Sequence, residues 1–252
     1  MSFYQKSKTK LLINNIYKSF HDLDVLNNIS MHLAEKEFVS ILGPSGCGKS
    51  TIFNIVSGLI LPDSGEVFLD KKPITGKIGR VSYMHQKDLL LPWKKIIDNA
   101  ALALVIKGKK KQEARVIAKE YFSEFGLDGF EYKYPFQLSG GMRQRAAFLR
   151  TYLFSKDVML LDEPFGGLDT ITKTKMHYWL QDVLKNLNTS VLFITHDIEE
   201  SILLSDRIYI LSDRPASIKE EVIVDLKRPR DYNEIITSRE FNEIKRHIIS
   251  LL

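Results

Sequence analysis

Nine consecutive residues carry the densest chemistry in the chain: Gly43, Pro44, Ser45, Gly46, Cys47, Gly48, Lys49, Ser50 and Thr51. They fit the spacing G-x-x-x-x-G-K-[ST], and they follow an apolar run, Phe38–Leu42, and precede a helical pattern. Glycines at these places let backbone N–H groups curl around phosphate oxygens without Cβ interference, and a helix start adds a favourable dipole. Lys49 would neutralise the β and γ phosphates, and the Ser50 hydroxyl would ligate Mg²⁺. The stretch reads as a phosphate loop.

Two further elements carry related chemistry. Val158, Met159, Leu160 and Leu161 run into Asp162 and Glu163. An apolar strand that ends in a carboxylate delivers that acid beside a phosphate loop in a parallel sheet. There Asp162 can hold Mg²⁺ through water, and Glu163 can accept the proton of an attacking water. Alone, such a strand end reads equally well as an ordinary terminus; the phosphate loop gives it weight. Residues 138–145, Leu-Ser-Gly-Gly-Met-Arg-Gln-Arg, open a helix. Ser139 offers a hydroxyl there, and Gly140 and Gly141 offer unobstructed N–H groups, a second anion site.

The elements that must position these residues follow from apolar periodicity and turn chemistry. Residues 11–70 are strand-rich, with runs at 11–13 and 25–33 and a buried-strand candidate at Phe38–Leu42. Ile52, Ile55, Val56 and Leu59 then recur at helical spacing, residues 63–65 read as a turn, and 66–69 as a strand. From 87 to 154 the pattern is helical, at 100–106, 112–125 and 142–153, with breaks at Gly108, 126–129 and Pro135. Residues 158–161, 191–194 and 208–211 are fully apolar, as strands buried on both faces of a parallel sheet are.

With these motifs in this order, the sequence resembles the ATP-binding subunits of ABC transporters from about residue 11 to the C-terminus. The resemblance implies an α/β fold: a phosphate-loop NTPase core with an N-terminal antiparallel β subdomain and an inserted helical signature subdomain. It implies one nucleotide-binding domain over 1–252. The core would span about 1–86 and 155–230, the helical subdomain about 87–154, and a C-terminal helix about 231–252. ATP and Mg²⁺ are the implied cofactors, with Ser50, Gln86 and Asp162 at the metal and Glu163, His196 and Lys49 catalytic. Phe20 matches the aromatic that stacks on adenine, although a core role is open for it. Gln86 matches the glutamine that senses Mg²⁺ and the γ phosphate. Ser139, Gly140 and Gly141 match the signature that meets the ATP of the other subunit. Asp169 matches the aspartate loop that communicates across the dimer, and His196 the switch histidine. His21, His32, His177 and His247 match nothing in the pattern. Three residues depart from it: Lys36 where glycine is usual, His85 where an aromatic is common, and Gly167 in place of alanine.

Residues 89–93, Leu-Leu-Leu-Pro-Trp, and 228–230, Arg-Pro-Arg, look like those of nitrate, sulfonate and taurine importers, whose relatives carry thiamine-precursor pyrimidines. The implied function is ATP hydrolysis that powers uptake of such a solute through a separate permease. Implied partners are integral-membrane permease subunits, a second copy of the chain and, indirectly, an extracytoplasmic solute-binding protein. The implied location is peripheral, at the cytoplasmic face of the membrane. Trp93 reads either as an anchor for the permease or as a cap on the helical subdomain. The competing reading is a soluble ABC ATPase outside transport; nucleotide kinases and GTPases lack the 138–145 signature.

Composition agrees. The chain has 252 residues, 44% hydrophobic and 27% charged, which excludes a disordered chain. Cys47 is the only cysteine, so no intrachain disulfide forms and a reducing compartment is favoured. Residues 1–10 carry Lys6, Lys8 and Lys10 but no apolar signal-peptide core. The apolar stretch 99–106 is far short of the about 20 residues of a membrane-spanning helix, so a membrane role is expected through a partner. The net charge of +5 invites nucleic acid, but with the motifs in place no nucleic-acid partner is expected. The lysine cluster at 107–111 reads as a solvated loop.

Overall fold

Residues 8–155, 157–186 and 188–252 are described by a computed structural model; residues 1–7, Lys6 included, lie outside them. The chain divides into two compact units, 1–81 with 189–252, and 82–188.

In the first unit, β1 (Thr9–Phe20) pairs antiparallel with β2 (Leu23–Ala34) on one side and with β4 (Ser64–Leu69) on the other. The two-residue β5 (Lys72–Pro73) extends the edge beyond β4. Leu11, Ile13 and Ile16 of β1 are buried while Leu12 is exposed, the one-sided burial of a sheet with a wet face. The expected turn at 63–65 is instead the opening of β4. Asp63 N–H donates to the Tyr17 carbonyl and Ser64 already pairs with Tyr17, so ladder bonds override the turn residues.

The same unit holds a second sheet layer. Here β3 (Phe38–Leu42) lies between β8 (Ser190–Thr195) and β9 (Arg207–Leu211), parallel to both, and β10 (Ile218–Ile223) runs antiparallel to β9. All residues of β3, β8 and β9 are buried, which is why their apolar runs show no alternation. Helix α1 (Lys49–Val56) follows the loop after β3. The helical pattern overruns it: α1 ends at Val56, and Leu59 is 58% exposed beyond Gly58, whose φ is +80°. Lys36 sits at φ +61°, so the turn before β3 keeps the left-handed geometry although no glycine is there.

Helix α7 (Ile198–Leu204) packs with α8 (Tyr232–Ile235) and α9 (Arg239–Leu251) over β9 and β10 through Ile202, Ile208, Ile210, Phe241 and Ile248. Arg230 is buried and donates to the carbonyls of Ile202, Leu203, Ser205 and Val224. Arg228 adds bonds to the Leu204 carbonyl and to Asp206. The Arg-Pro-Arg run thus closes the orphan carbonyls at the C-terminus of α7.

In the second unit, β6 (Ser82–Met84) pairs parallel with β7 (Val158–Asp162). Its helices are α2 (Ile96–Ala100), α3 (Leu102–Ile106), α4 (Lys111–Glu120), α5 (Gly140–Phe154) and α6 (Thr170–Asn186). The helix expected over 112–125 stops at Glu120. Tyr121 and Phe122 N–H groups turn to carbonyls three residues back, and Phe125 packs 5.8 Å from the Trp179 ring. Lysines of the 107–111 cluster are tied locally: Lys109 to Glu113, Lys111 to Asp98, and Lys107 to the Phe154 carbonyl.

Candidate nucleotide site

The phosphate loop joins β3 to α1. Gly46 and Gly48 have φ of +78° and +125°, and a Cβ on Gly48 would stand 2.8 Å from Leu26 Cδ2. Only glycine satisfies both demands. Gly48 caps α1 without any side-chain bond, leaving the helix start to backbone N–H groups. Lys49 is 6% exposed, and its ammonium donates to the Gly43 and Pro44 carbonyls, both at 2.8 Å. A buried ammonium whose hydrogen-bond partners among the described residues are neutral carbonyls on a glycine-rich turn is built for an anion. Ser45 and Ser50 are exposed, and Thr51 is half-buried. Cys47 is 2% exposed; burial pushes its thiol up, against the pull of Lys49.

Two more residues of this unit were assigned from the sequence. Phe20 ends β1 with 40% of its surface exposed and Lys18 Nζ 5.2 Å from its ring, so it is not a core residue. His196 is exposed directly after β8, beside Asp197, whose carboxylate caps α7 by accepting from Glu200 N–H.

The second unit brings the acids together with the glutamine. Asp162 is buried at the end of β7 and accepts from the Tyr83 hydroxyl at 3.1 Å. Gln86 Nε2 donates to Glu163 Oε2 at 3.3 Å. Glu163 stands at φ +43°, a strained conformation for a non-glycine residue at a functional position. Burial lowers the His85 pKa although Asp162 pulls it up, and its ring lies 4.0 Å from Tyr83. His85 thereby stacks where an aromatic is common.

Ser139 caps α5, its hydroxyl accepting from Met142 N–H. Cβ atoms on Gly140 and Gly141 would stand 3.3 Å from Leu168 and 3.2 Å from Thr172. Asp169 accepts from Thr172 N–H at 3.0 Å, and hydrogen bonding from the Thr172 hydroxyl first, then from its N–H, lowers the Asp169 pKa. Trp93 is 71% exposed, which removes the capping role for it. Its segment is instead held by the buried Asn99, which accepts from Leu91 N–H and donates to the Leu91 and Lys94 carbonyls.

Sequence reasoning missed several contributors. Tyr83 on Asp162 has no motif signal. Arg150 donates to the Asp88 and Leu89 carbonyls, and Arg143 to the Asp88 carboxylate, so two arginines of α5 hold the segment after Gln86.

The donors assigned to Mg²⁺ are a hydroxyl, an amide and a carboxylate. Among the described residues no three His, Cys, Asp or Glu side chains gather into a metal cage. That donor set fits Mg²⁺, which keeps waters and takes phosphate oxygens alongside one or two protein carboxylates. Among the described residues no helix is long and apolar enough to cross a membrane.

The ABC transporter family profile matches residues 26–166, which include the phosphate loop, Gln86, Ser139 and the Asp162–Glu163 pair. The chain belongs to the ABC transporter family. As an ATP-binding subunit of that family it is an ATPase. The formylaminopyrimidine import ATP-binding protein ThiZ of Halalkalibacterium halodurans is 45% identical over 230 residues, 90% of each chain. The aliphatic sulfonates import ATP-binding protein SsuB of Bacillus cereus (strain ZK / E33L) is 38% identical over 241 residues, 94% of this chain and 93% of its own. Among solved structures, the dimeric post-hydrolysis state of the ATP-binding cassette MJ0796 bound to ADP and Pi superposes with a TM-score of 0.71. It is 28% identical and covers 86% of this chain and 100% of its own. The α/β fold with an antiparallel sheet expected for an ABC cassette is the fold found.

Proposed function

We propose that this ABC ATPase powers import of a small solute of the aliphatic sulfonate, taurine, nitrate or thiamine-precursor pyrimidine type. The observation that carries the reading is the near full-length similarity to import ATP-binding subunits, ThiZ and SsuB, together with an intact phosphate loop. The chain would work on separate permease subunits at the cytoplasmic face of the membrane, with an extracytoplasmic binding protein delivering the solute. Exposed Trp93 supports a docked permease, since an aromatic of this kind is a typical interface anchor.

Chemically, the reading assigns phosphoryl transfer from ATP to water. Lys49 and the loop N–H groups bind the phosphates and neutralise charge that grows in the transition state. Glu163 orients the water and takes its proton, and Gln86, bonded to Glu163, holds that carboxylate in place. Mg²⁺, when bound, would draw charge from the phosphate oxygens, with Ser50, Asp162 and Gln86 as its protein partners. Phe20 offers its exposed face to the adenine, and His196 meets the γ phosphate. Ser139, Gly140 and Gly141 serve the ATP held by a second copy, with Asp169 beside that interface. The domain reading, a core of about 1–86 and 155–230 with a helical subdomain of about 87–154, is part of this proposal.

The test is ATPase activity of the complex reconstituted with its permease and candidate binding proteins. Stimulation by an aliphatic sulfonate, taurine, nitrate or a formylaminopyrimidine supports import and names the solute. Stimulation by nucleic acid without any permease overturns it in favour of a non-transport ABC ATPase.

A further inference from the structure

The segment after β9 lies against the outside of the phosphate loop. Leu211, the last residue of β9, approaches so closely that a Cβ on Gly43 would stand 3.0 Å from Leu211 Cβ. Three residues on, Arg214 donates to the Gly46 carbonyl through Nη2, and through Nε at 3.2 Å. The segment is itself anchored. Ala216 N–H donates to the Val25 carbonyl and Asn27 N–H to the Ala216 carbonyl, both at 2.8 Å, while Ser212 and Ser217 bond each other. Val25 and Leu26 are the residues that a Cβ on Gly48 would strike. β9 and the segment after it thus touch the loop at Gly43 and Gly46, and β2, bonded to that segment, meets Gly48.

The Gly46 carbonyl and the Cys47 N–H belong to one planar trans peptide, so they point in opposite directions. Cys47 N–H reaches toward the Pro44 carbonyl at 3.3 Å, the same oxygen that accepts from Lys49 Nζ. The N–H thus lies on the Lys49 side of the loop, and Arg214 grips the carbonyl on the other side. A guanidinium on that carbonyl fixes the peptide plane and polarises it, which strengthens its N–H as a donor. We propose that Arg214 is a positioning residue for nucleotide binding, acting through the Gly46–Cys47 peptide to hold the turn of the phosphate loop in which Cys47 N–H donates to the Pro44 carbonyl. The inference rests on the reading of residues 43–51 as the ATP site and adds a cation, outside the motif, that orients it. Because Arg214 works on the carbonyl side, it serves ADP and ATP alike and does not contact the γ phosphate.

The test uses the full chain, with affinities for ADP and for ATP measured by calorimetry beside melting temperature without nucleotide. R214M keeps the apolar stem and removes every donor, and R214K restores a single ammonium. R214M is expected to weaken ADP and ATP about 3- to 10-fold and equally, the span of one ordinary net hydrogen bond, because Arg214 acts through the peptide and not on the nucleotide. R214K should recover part of that loss, with both melting temperatures unchanged. In the permease complex the loss should appear in KM, with kcat kept within about twofold. Wild-type affinity in R214M overturns the inference. So does a loss confined to ATP, or a lowered melting temperature that accounts for the loss. Absence of ADP and ATP binding by the unaltered chain overturns the reading of the loop itself.

Discussion

Gln86 Nε2 donates to the Glu163 carboxylate at 3.3 Å, while Glu163 itself is held at φ +43°. The backbone there is strained and the side chain is steered by a hydrogen bond, so the carboxylate direction is set by both. Gly166 N–H adds a bond to the Glu163 carbonyl, and a Cβ on Gly166 would stand 3.5 Å from Glu163 Oε2. Such over-determination is what keeps an uncommon conformation in place.

Glu163→Gln removes the basic oxygen but keeps the shape and an acceptor for Gln86. ATP affinity should stay near wild type, while the hydrolysis rate falls by about 10²–10⁴, the usual span of general-base catalysis. Single-turnover hydrolysis beside an ATP-binding isotherm separates the two quantities. A wild-type rate in this variant would remove Glu163 from the role of base.

Lys36 gives a prediction of opposite sign. At φ +61° its side chain pays a left-handed cost that glycine does not, while its N–H bond to Ser190 Oγ at 2.8 Å needs only backbone. Lys36→Gly relieves the strain but adds freedom to the unfolded chain, so the net gain should be below about 1 kcal/mol. A rise of up to about 4 °C in melting temperature is expected. A fall would show that the lysine side chain contributes more than its backbone costs.

Much of the site is legible in the sequence because its parts are local. The loop at 43–51, the capped helix start at Ser139 and the strand ending at Asp162 each need only neighbours in the chain. What was not legible comes from distant partners. Arg214 and Gly46 are 168 residues apart, and Tyr83 and Asp162 are 79 apart, with no spacing rule to connect them. Arg228 and Arg230 stood out in the sequence, yet their work at the end of α7 appears only once the carbonyls they meet are placed. Helix ends failed for a related reason. Phe122 and Phe125 continue the apolar period past Glu120, but they are buried from a tightened turn instead of a helix.

Cys47 tests burial inside the loop. Its sulfur is nearly inaccessible, and burial raises its pKa against the pull of Lys49, so little thiolate exists at neutral pH. A disulfide reagent should modify native Cys47 at least about tenfold more slowly than free cysteine, and the rate should climb as pH rises. Unfolding in guanidinium should restore the free rate. A native rate equal to that of free cysteine would contradict the packing described.

The final prediction concerns pH. Arg115 in α4 grips Asp98 in α2 with two parallel bonds of 2.8 Å, and this hydrogen bonding holds the Asp98 carboxyl below its ordinary range. A carboxylate with a depressed folded pKa contributes stability that is complete above its unfolded value, about 3.9, and is lost as pH falls through the folded one. The Asp98 side chain is largely buried and Arg115 about one-third exposed, so the pair should contribute about 1 kcal/mol at pH 7. Arg115→Ala should therefore lower stability by about that amount at pH 7, and the gap to wild type should close as pH drops below about 4. Urea unfolding of both proteins across pH 3–7 reads this directly. A gap that stays constant over that range would mean that Arg115 stabilises through its apolar stem and not through the ion pair.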